Sequence, residues 1–147
     1  MTTPSGLVRP VPVVTPETAP FFAAAADGHL VIQACLACER LQHPPGQPCR
    51  SCGATTLGYR PVSGRARLWS WTVARMSFAP GFDPAVPYLI ICAELVEQAG
   101  LLMLSSRPRI DEDYVTRLTT GAPMHAVFPP GDGPPLVEFA FDDEEAP

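Results

Sequence analysis

This chain contains no lysine, so each of its 10 basic residues is an arginine, and its formal net charge is −5. Proteins that bind nucleic acids generally present a dense positive field to the phosphates. A net acidic chain without lysine has no such field. The composition therefore argues against a nucleic acid as the partner.

Long apolar segments are also missing. No stretch approaches the roughly 18 apolar residues of a membrane-spanning helix. The first residues include threonine, proline, serine and valine and lack the basic start and long apolar run of a secretory signal. We therefore expect no membrane association and a cytoplasmic location, where thiols stay reduced.

Four of the five cysteines form two close pairs with the spacing C-x2-C-x10-C-x2-C. Two such pairs bring four thiolates to the corners of a tetrahedron around one Zn²⁺. A metal bound by four sulfur atoms has no open position for water or substrate, so we expect a structural zinc ion and a function elsewhere. The predicted ligands are Cys35, Cys38, Cys49 and Cys52.

Other interpretations of these residues, as two disulfides, an iron site or four unrelated thiols, are weaker. Two disulfides conflict with a reducing compartment, and a rubredoxin-type iron site usually has a longer loop between its cysteine pairs. His43 lies inside the metal loop, but four cysteines already complete the site. The fifth cysteine, Cys92, stands in an apolar run from Tyr88 to Leu95 and is predicted to be a small core residue.

Proline sets the organisation of the chain. Most of its 19 prolines cluster within residues 4–20, 44–48, 80–87 and 129–135, which forbids long helices and favours loops between short strands. The predicted segments are an N-terminal arm and a short helix from Glu17 to Ala26 (1–29), a zinc ribbon (30–60), a barrel (61–141) and a disordered acidic tail (142–147).

A β pattern begins at Gly64. The segment from Arg65 to Arg75 partly alternates, which predicts a long strand. Its predicted faces carry Ala66, Leu68 and Ser70 on one side, and Arg67, Trp69 and Trp71 on the other. Further strands are predicted at Tyr88–Val96, Leu101–Ser106, Met124–Phe128 and Leu136–Phe141. Five short antiparallel strands after a metal ribbon suggest an OB-type barrel, although periodicity alone also allows a sandwich.

Several short motifs follow one another in a recognisable order. They are Phe21-Phe22, Gly28-His-Leu30, the four cysteines with Pro44-Pro45 between the pairs, Gly64, Pro87-Tyr88 and Gly121-Ala-Pro-Met-His-Ala-Val-Phe128. This ordered set, from about residue 17 to 141, resembles the DUF35 family of zinc-ribbon OB-fold proteins. Two positions depart from the family pattern. Glu39 replaces the usual glycine after the first cysteine pair, and Gly46 stands where an arginine commonly follows the two prolines.

The resemblance implies a mainly β fold with a short N-terminal helix, a rubredoxin-like zinc ribbon and a five-stranded OB-fold barrel. It also implies a non-catalytic accessory subunit of a thiolase-like or lipid-transfer-protein-like acyl-CoA enzyme, in a heterotetramer. The expected chemistry is a retro-aldol or thiolase reaction, with steroid side-chain degradation as one setting, in which this subunit stabilises the partner and helps to bind acyl-CoA. The alternative partner is a MaoC-type enoyl-CoA hydratase.

The residues themselves agree with a role outside catalysis. The three histidines, His29, His43 and His125, are scattered along the sequence. No serine or free cysteine is placed as a nucleophile beside one of them.

The proline-rich connection over residues 75–88 is one candidate surface for a partner. Its Phe78, Phe82 and Tyr88 are large apolar groups on a backbone restricted by prolines, and preorganised aromatic anchors supply much of the energy of protein interfaces. The same aromatic residues also fit a second role, as a plug over one end of the barrel.

Arginines supply a second set of candidate contacts. Arg65, Arg67 and Arg75, together with Arg107 and Arg109, offer bidentate donors suited to the phosphates of coenzyme A. Solvated positions at strand ends are the ordinary alternative for such residues.

Two tryptophans form the last candidate surface. Trp69 and Trp71 suit a protein interface, and they are also the residues that would stack on bases if the partner were single-stranded nucleic acid.

Overall fold

The computed structural model describes residues 10–77, 81, 86–107 and 110–144. Within these residues the elements are α1 (Ala19–Ala26), β1 (Leu30–Cys35), β2 (Leu41–Gln42), β3 (Leu57–Val62), β4 (Arg65–Ala74), β5 (Tyr88–Leu95), β6 (Leu102–Arg107), α2 (Glu112–Thr116), β7 (Pro123–Val127) and β8 (Glu138–Phe141). Neither helix is long and apolar enough to cross a membrane.

The first sheet is a three-stranded ribbon with β1 at its centre. β1 pairs antiparallel with β2 and, over all 6 of its residues, with β3. Helix α1 packs against β1. The helix begins at Ala19, two residues later than predicted, because Thr15 and Thr18 form a hydrogen-bonded turn immediately before it.

The second sheet contains five strands in the order β6-β5-β4-β7-β8, and all neighbours are antiparallel. Its two edge strands, β6 and β8, contact each other but are not neighbours in the hydrogen-bonded order. The sheet therefore curves into a partly open barrel, as an OB-fold does. The predicted fold class, a short helix and a zinc ribbon followed by a five-stranded OB-fold barrel, is confirmed.

One hydrophobic core runs through both sheets. Its fully buried side chains include Ile32 of β1, Leu68 of β4, Ile91 of β5 and Phe139 of β8. Because the same cluster contains residues of the ribbon and of the barrel, loss of the ribbon exposes apolar surface of the barrel as well.

A β-bulge in β4 changes which side chains face the core. The register with β5 shifts between Leu68 and Ser70, so Trp69 is the extra residue. Trp69 and Ser70 are both exposed, whereas Trp71 packs against the core. The prediction that Trp69 and Trp71 share one face is therefore wrong, because an inserted residue reverses the alternation beyond it.

Cys92 lies on the outer face of the barrel. Strand β5 alternates strictly, so Ile91 and Ala93 are buried while Cys92 between them is half-buried on the other side. The prediction of a core residue is wrong, because β5 buries only one of its two faces.

Residues immediately after β8 pack on the barrel. The guanidinium of Arg107, at the end of β6, lies 2.6 Å from Glu144 and also donates to the hydroxyl of Tyr114 at 3.1 Å. Arg117 forms a second ion pair with Asp143. Residues 142–144, predicted to be part of a disordered tail, form a turn instead because two arginines pair with their carboxylates.

Candidate metal centre and partner surface

The four predicted ligand cysteines come together in the ribbon, where their sulfur atoms all lie within 4.8 Å of one another. The Sγ atoms of Cys35 and Cys52 are 3.6 Å apart, and those of Cys38 and Cys49 are 3.7 Å apart. A tetrahedron with Zn–S bonds of about 2.3 Å has edges of about 3.8 Å, whereas a disulfide bond is about 2.05 Å long. The sulfur atoms are therefore positioned for one tetrahedral metal ion and not for two disulfides.

The two cysteine pairs share one backbone geometry. The N–H of Glu39 donates to the carbonyl of Cys35, and the N–H of Gly53 donates to that of Cys49, both at 2.9 Å. Both donors have positive φ, 62° at Glu39 and 77° at Gly53. Glu39 thus adopts a left-handed conformation that favours glycine, at a cost of about 1–2 kcal/mol.

Backbone N–H groups within the pairs favour thiolates. The backbone N–H of Cys38 contributes most to lowering the pKa of Cys35. The backbone N–H of Cys52 contributes most to lowering the pKa of Cys49 to about 6. The N–H of Ala54 likewise lowers the pKa of Cys52. The neighbouring sulfur atoms, above all that of Cys38, have the opposite and larger effect, and the pKa of Cys52 is raised to about 12. Four thiolates so close together repel one another, and a cation at their centre removes that repulsion.

Two buried glutamines hold the metal loop in shape. The Oε1 atom of Gln33 accepts from Nε2 of Gln42 at 2.7 Å and from the N–H of Gly46 at 2.9 Å. Gln42 in turn donates to the carbonyl of Gly46 and accepts from the N–H of Arg50. Because both amide atoms of Gln42 and the Oε1 atom of Gln33 are hydrogen-bonded, the network fixes the path of the loop that leads to Cys49.

His43 is packed within the ribbon and does not belong to the sulfur cluster. Its ring centroid lies 5.9 Å from that of Phe21. Burial, and after it the nearby charge of Arg50, lowers the pKa of His43 to about 4. The imidazole is therefore neutral near pH 7.

The structure places part of the predicted partner loop. Tyr88 begins β5 and is half-buried, and Arg75 pairs with Glu112 at the start of α2 at 2.8 Å. Phe78 and Phe82 lie outside the described residues, so their two predicted roles, anchor or plug, stay predictions.

The predicted phosphate-binding arginines differ in their surroundings. Arg75 and Arg107 each pair with a glutamate. Arg65 and Arg67 are exposed on β4, and neither forms an ion pair with another described residue. The Nη1 atom of Arg67 makes a long contact, 3.5 Å, with the carbonyl of Gly121. Arg109 lies outside the described residues.

Two family models match the chain, the rubredoxin-like zinc ribbon domain of ChsH2 over residues 22–58 and the C-terminal OB-fold domain of ChsH2 over residues 59–129. Among solved structures, a chain of the "Ltp2-ChsH2(DUF35) aldolase" superposes with a TM-score of 0.70 at 30% sequence identity. The match covers 89% of this chain and 97% of that chain. This chain belongs to the DUF35 family. The resemblance inferred from the sequence is thereby confirmed.

Two further relatives place this DUF35 chain more broadly. A DUF35 protein of unknown function from Sulfolobus solfataricus shares the fold, with a TM-score of 0.53 at 16% identity over 76% of this chain and 77% of that chain. The "probable enoyl-CoA hydratase alpha subunit" of Thermomonospora curvata is 36% identical over 95 residues, which is 65% of this chain. The DUF35 chain spans only 29% of that relative's length.

Sequence-based reasoning missed the glutamines that support the metal loop. Gln33 is the one polar residue in the strand from Leu30 to Cys35, and an amide within an otherwise apolar buried strand is a usable signal for an internal hydrogen-bond network. No comparable signal marks Gln42, which lies in a two-residue strand.

Proposed function

We propose that this chain is a zinc-containing, non-catalytic accessory subunit of a thiolase-like acyl-CoA enzyme that catalyses a retro-aldol or thiolase reaction. The observation that carries the proposal is the match along 97% of a ChsH2 chain at 30% identity. That chain is named as one component of an Ltp2-ChsH2 aldolase. Similarity along a whole subunit, and not over a single shared domain, supports the same role in a complex.

The metal has a structural role in this proposal. Cys35, Cys38, Cys49 and Cys52 hold one Zn²⁺, and a site filled by four sulfur atoms offers no position to a substrate. Zinc binding contributes on the order of 10 kcal/mol to local folding, which stabilises a ribbon too small for a core of its own. A cytoplasmic location keeps the thiols reduced and available to the metal.

The catalytic groups then belong to the partner, with which this subunit forms a heterotetramer. This subunit contributes to substrate binding through Arg65 and Arg67. Both arginines are exposed, and neither forms an ion pair with another described residue. Such groups bind phosphate oxygens in a bidentate manner, as the phosphates of an acyl-CoA require. Steroid side-chain acyl-CoA thioesters are the substrate class that the family resemblance favours.

Purification of the tagged chain from its native cells, followed by mass spectrometry of its companions, tests this proposal. We expect a thiolase-like protein at a fixed ratio after washing in high salt. The purified complex, but neither component alone, should cleave acyl-CoA substrates. Recovery of nucleic acid without a stoichiometric protein, or full activity of this chain alone, would overturn the proposal.

A MaoC-type enoyl-CoA hydratase is the second candidate partner, favoured by one observation. The Thermomonospora curvata relative is named as a hydratase subunit and contains the matching segment within a much longer chain. A MaoC-type companion in the same purification, with hydration of enoyl-CoA by the complex, would replace the aldolase assignment.

A further inference from the structure

An uncharged apolar patch covers part of the outer face of the barrel. Leu104 and Trp69 are its most exposed members, with 69% and 51% of their surface accessible. The half-buried residues of the patch surround them. The outer-face patch consists of Trp69, Ile90, Cys92, Leu102 and Leu104.

Strand register brings these side chains together. Cys92 lies opposite Ser70 on β4 and opposite Leu104 on β6. Trp69 faces outwards, and the bulge turns Ser70 outwards beside it. Since neighbouring strands are about 4.8 Å apart, the patch is continuous across β4, β5 and β6. Without the bulge, alternation would place Trp69 on this face but would turn Ser70 away from it.

Charged groups lie along one edge of the patch, where Glu94 stands opposite both Arg67 and Leu102. Arg67 and Glu94 face each other across β4 and β5, and the carboxylate of Glu94 accepts from the N–H of Gly100 at 2.7 Å. A nucleic acid would require basic side chains among the aromatic ones. An exposed apolar patch with charges at its rim is instead typical of a protein interface.

We infer that the outer-face patch is the docking surface for the thiolase-like enzyme subunit, an inference that rests on the proposed function. The occupant presents an apolar, uncharged surface to Trp69 and Leu104. Tryptophan and arginine are among the residues most enriched at energetic hot spots of interfaces. Here Trp69 and Arg67 lie two positions apart on β4.

The acyl-CoA contact in the proposed function favours this occupant. Arg65 and Arg67 begin the strand on which Trp69 lies. If these arginines hold phosphates of a thioester whose reacting carbon lies in the partner, the partner covers the adjacent surface. A substrate shared between two subunits thus requires an interface next to these arginines, and the outer-face patch lies there.

The affinity of the zinc-loaded chain for the co-purified enzyme subunit provides the test, measured by biolayer interferometry. Leu104→Glu should weaken the complex by about 30-fold or more, the loss expected at an interface hot spot. Trp69→Ala should weaken it in the same direction. The matched control is Leu36→Glu, which changes a leucine of similar exposure, 63%, on the zinc ribbon and should leave the affinity within about twofold.

The outcomes separate this inference from the proposed function. If the wild-type chain binds no thiolase-like subunit, the proposed function fails and the inference fails with it. If the wild type binds and Leu104→Glu binds equally well, the inference is overturned while the proposed function stands. A variant that abolishes only self-association of this chain, and not binding of the enzyme, assigns the patch to a second copy and also overturns the inference.

A measurement on the unmutated chain keeps the test independent of folding defects. Burial raises the pKa of the Cys92 thiol, so N-ethylmaleimide is expected to modify it slowly in the free, zinc-loaded chain. Peptide mass spectrometry should show that the enzyme subunit protects Cys92 from modification. An equal rate of modification in the free chain and in the complex would contradict the inference.

Discussion

The side chain of Gln98 pairs with the backbone of Leu41 through both of its amide atoms. Oε1 accepts from the N–H of Leu41 and Nε2 donates to its carbonyl, each at 2.9 Å. These residues are 57 positions apart, one in the β5–β6 turn of the barrel and the other in the edge strand of the ribbon. The neighbouring Glu97 accepts from the N–H and the hydroxyl of Ser63, so a single turn ties the barrel to the ribbon and to the linker after it.

Gln98→Ala should lower the free energy of unfolding by about 1–3 kcal/mol, because it leaves two partly buried backbone groups of Leu41 without partners. Urea unfolding of the zinc-loaded chain measures the change. Gln47→Ala is the control, since no hydrogen bond of the Gln47 side chain is found among the described residues, and it should change stability by less than about 0.5 kcal/mol. Equal unfolding midpoints for Gln98→Ala and the wild type would show that the junction does not depend on this amide.

Glu39→Gly should stabilise the chain. The left-handed φ of Glu39 costs about 1–2 kcal/mol, and the greater freedom of glycine in the unfolded chain offsets about 0.4–1 kcal/mol of the relief. A net gain of about 0.5–1 kcal/mol is expected in thermal or urea unfolding of the zinc-loaded chain.

The matched change in the second cysteine pair is Gly53→Ala. No heavy atom lies within 4 Å of a Cβ at this position, so the substitution introduces backbone strain without a clash. It should destabilise by about 1–2 kcal/mol. If both substitutions shift stability in the same direction, the strain at Glu39 is not the cause.

Local patterns were sufficient to predict most of this fold. The cysteine spacing predicts a cluster because the chemistry of one metal ion fixes both the number and the proximity of its ligands. The apolar run that starts at Tyr88 predicts a strand, and β5 extends over Tyr88–Leu95. Proline and glycine mark the ends of such strands because they cannot continue a ladder or need positive φ.

Features that depend on pairing were not predictable. The bulge at Trp69 exists only in the register between β4 and β5, so nothing in the order of residues along β4 reveals it. The two hydrogen bonds between Gln98 and Leu41 join segments that are far apart in the sequence. Cys92 was misplaced for a similar reason, since the face of a strand that becomes the core depends on its neighbours.

The two tryptophans test the bulge. Trp71 packs against the core, so Trp71→Ala should cost about 2–4 kcal/mol, somewhat less than truncation of a fully buried aromatic residue. Trp69 is exposed, so Trp69→Ala should change stability by less than about 0.5 kcal/mol. Urea unfolding of both variants measures these two changes in the free energy of unfolding. Equal losses would mean that the two side chains have similar surroundings, as strict alternation had predicted.

Cysteine substitutions test the metal centre. Cys35→Ser should abolish binding of one Zn²⁺ per chain, and the ribbon should unfold because its strands depend on the metal. Since ribbon and barrel share a core, the unfolding midpoint of the barrel should fall as well. Cys92→Ser is the control and should retain one zinc ion, as measured by native mass spectrometry. Full folding of Cys35→Ser without metal would exclude a structural role for zinc.

His43 gives the ribbon a dependence on pH that is distinct from that of the metal. Its pKa is about 4 in the folded chain against an ordinary value of 6.5, so the unfolded chain binds more protons between these two values. The free energy of unfolding should therefore fall as pH decreases through 6.5 towards 4, and the contribution of His43 should level off about one pH unit above 6.5. NMR titration of the ring protons between pH 5 and 7.5 separates this effect from release of zinc, provided that the metal content is checked at each pH. We expect the His43 signals, assigned with a His43→Gln variant, to stay those of a neutral imidazole across that range. A midpoint near the ordinary value would mean that His43 is solvated, and with it the proline-rich side of the metal loop.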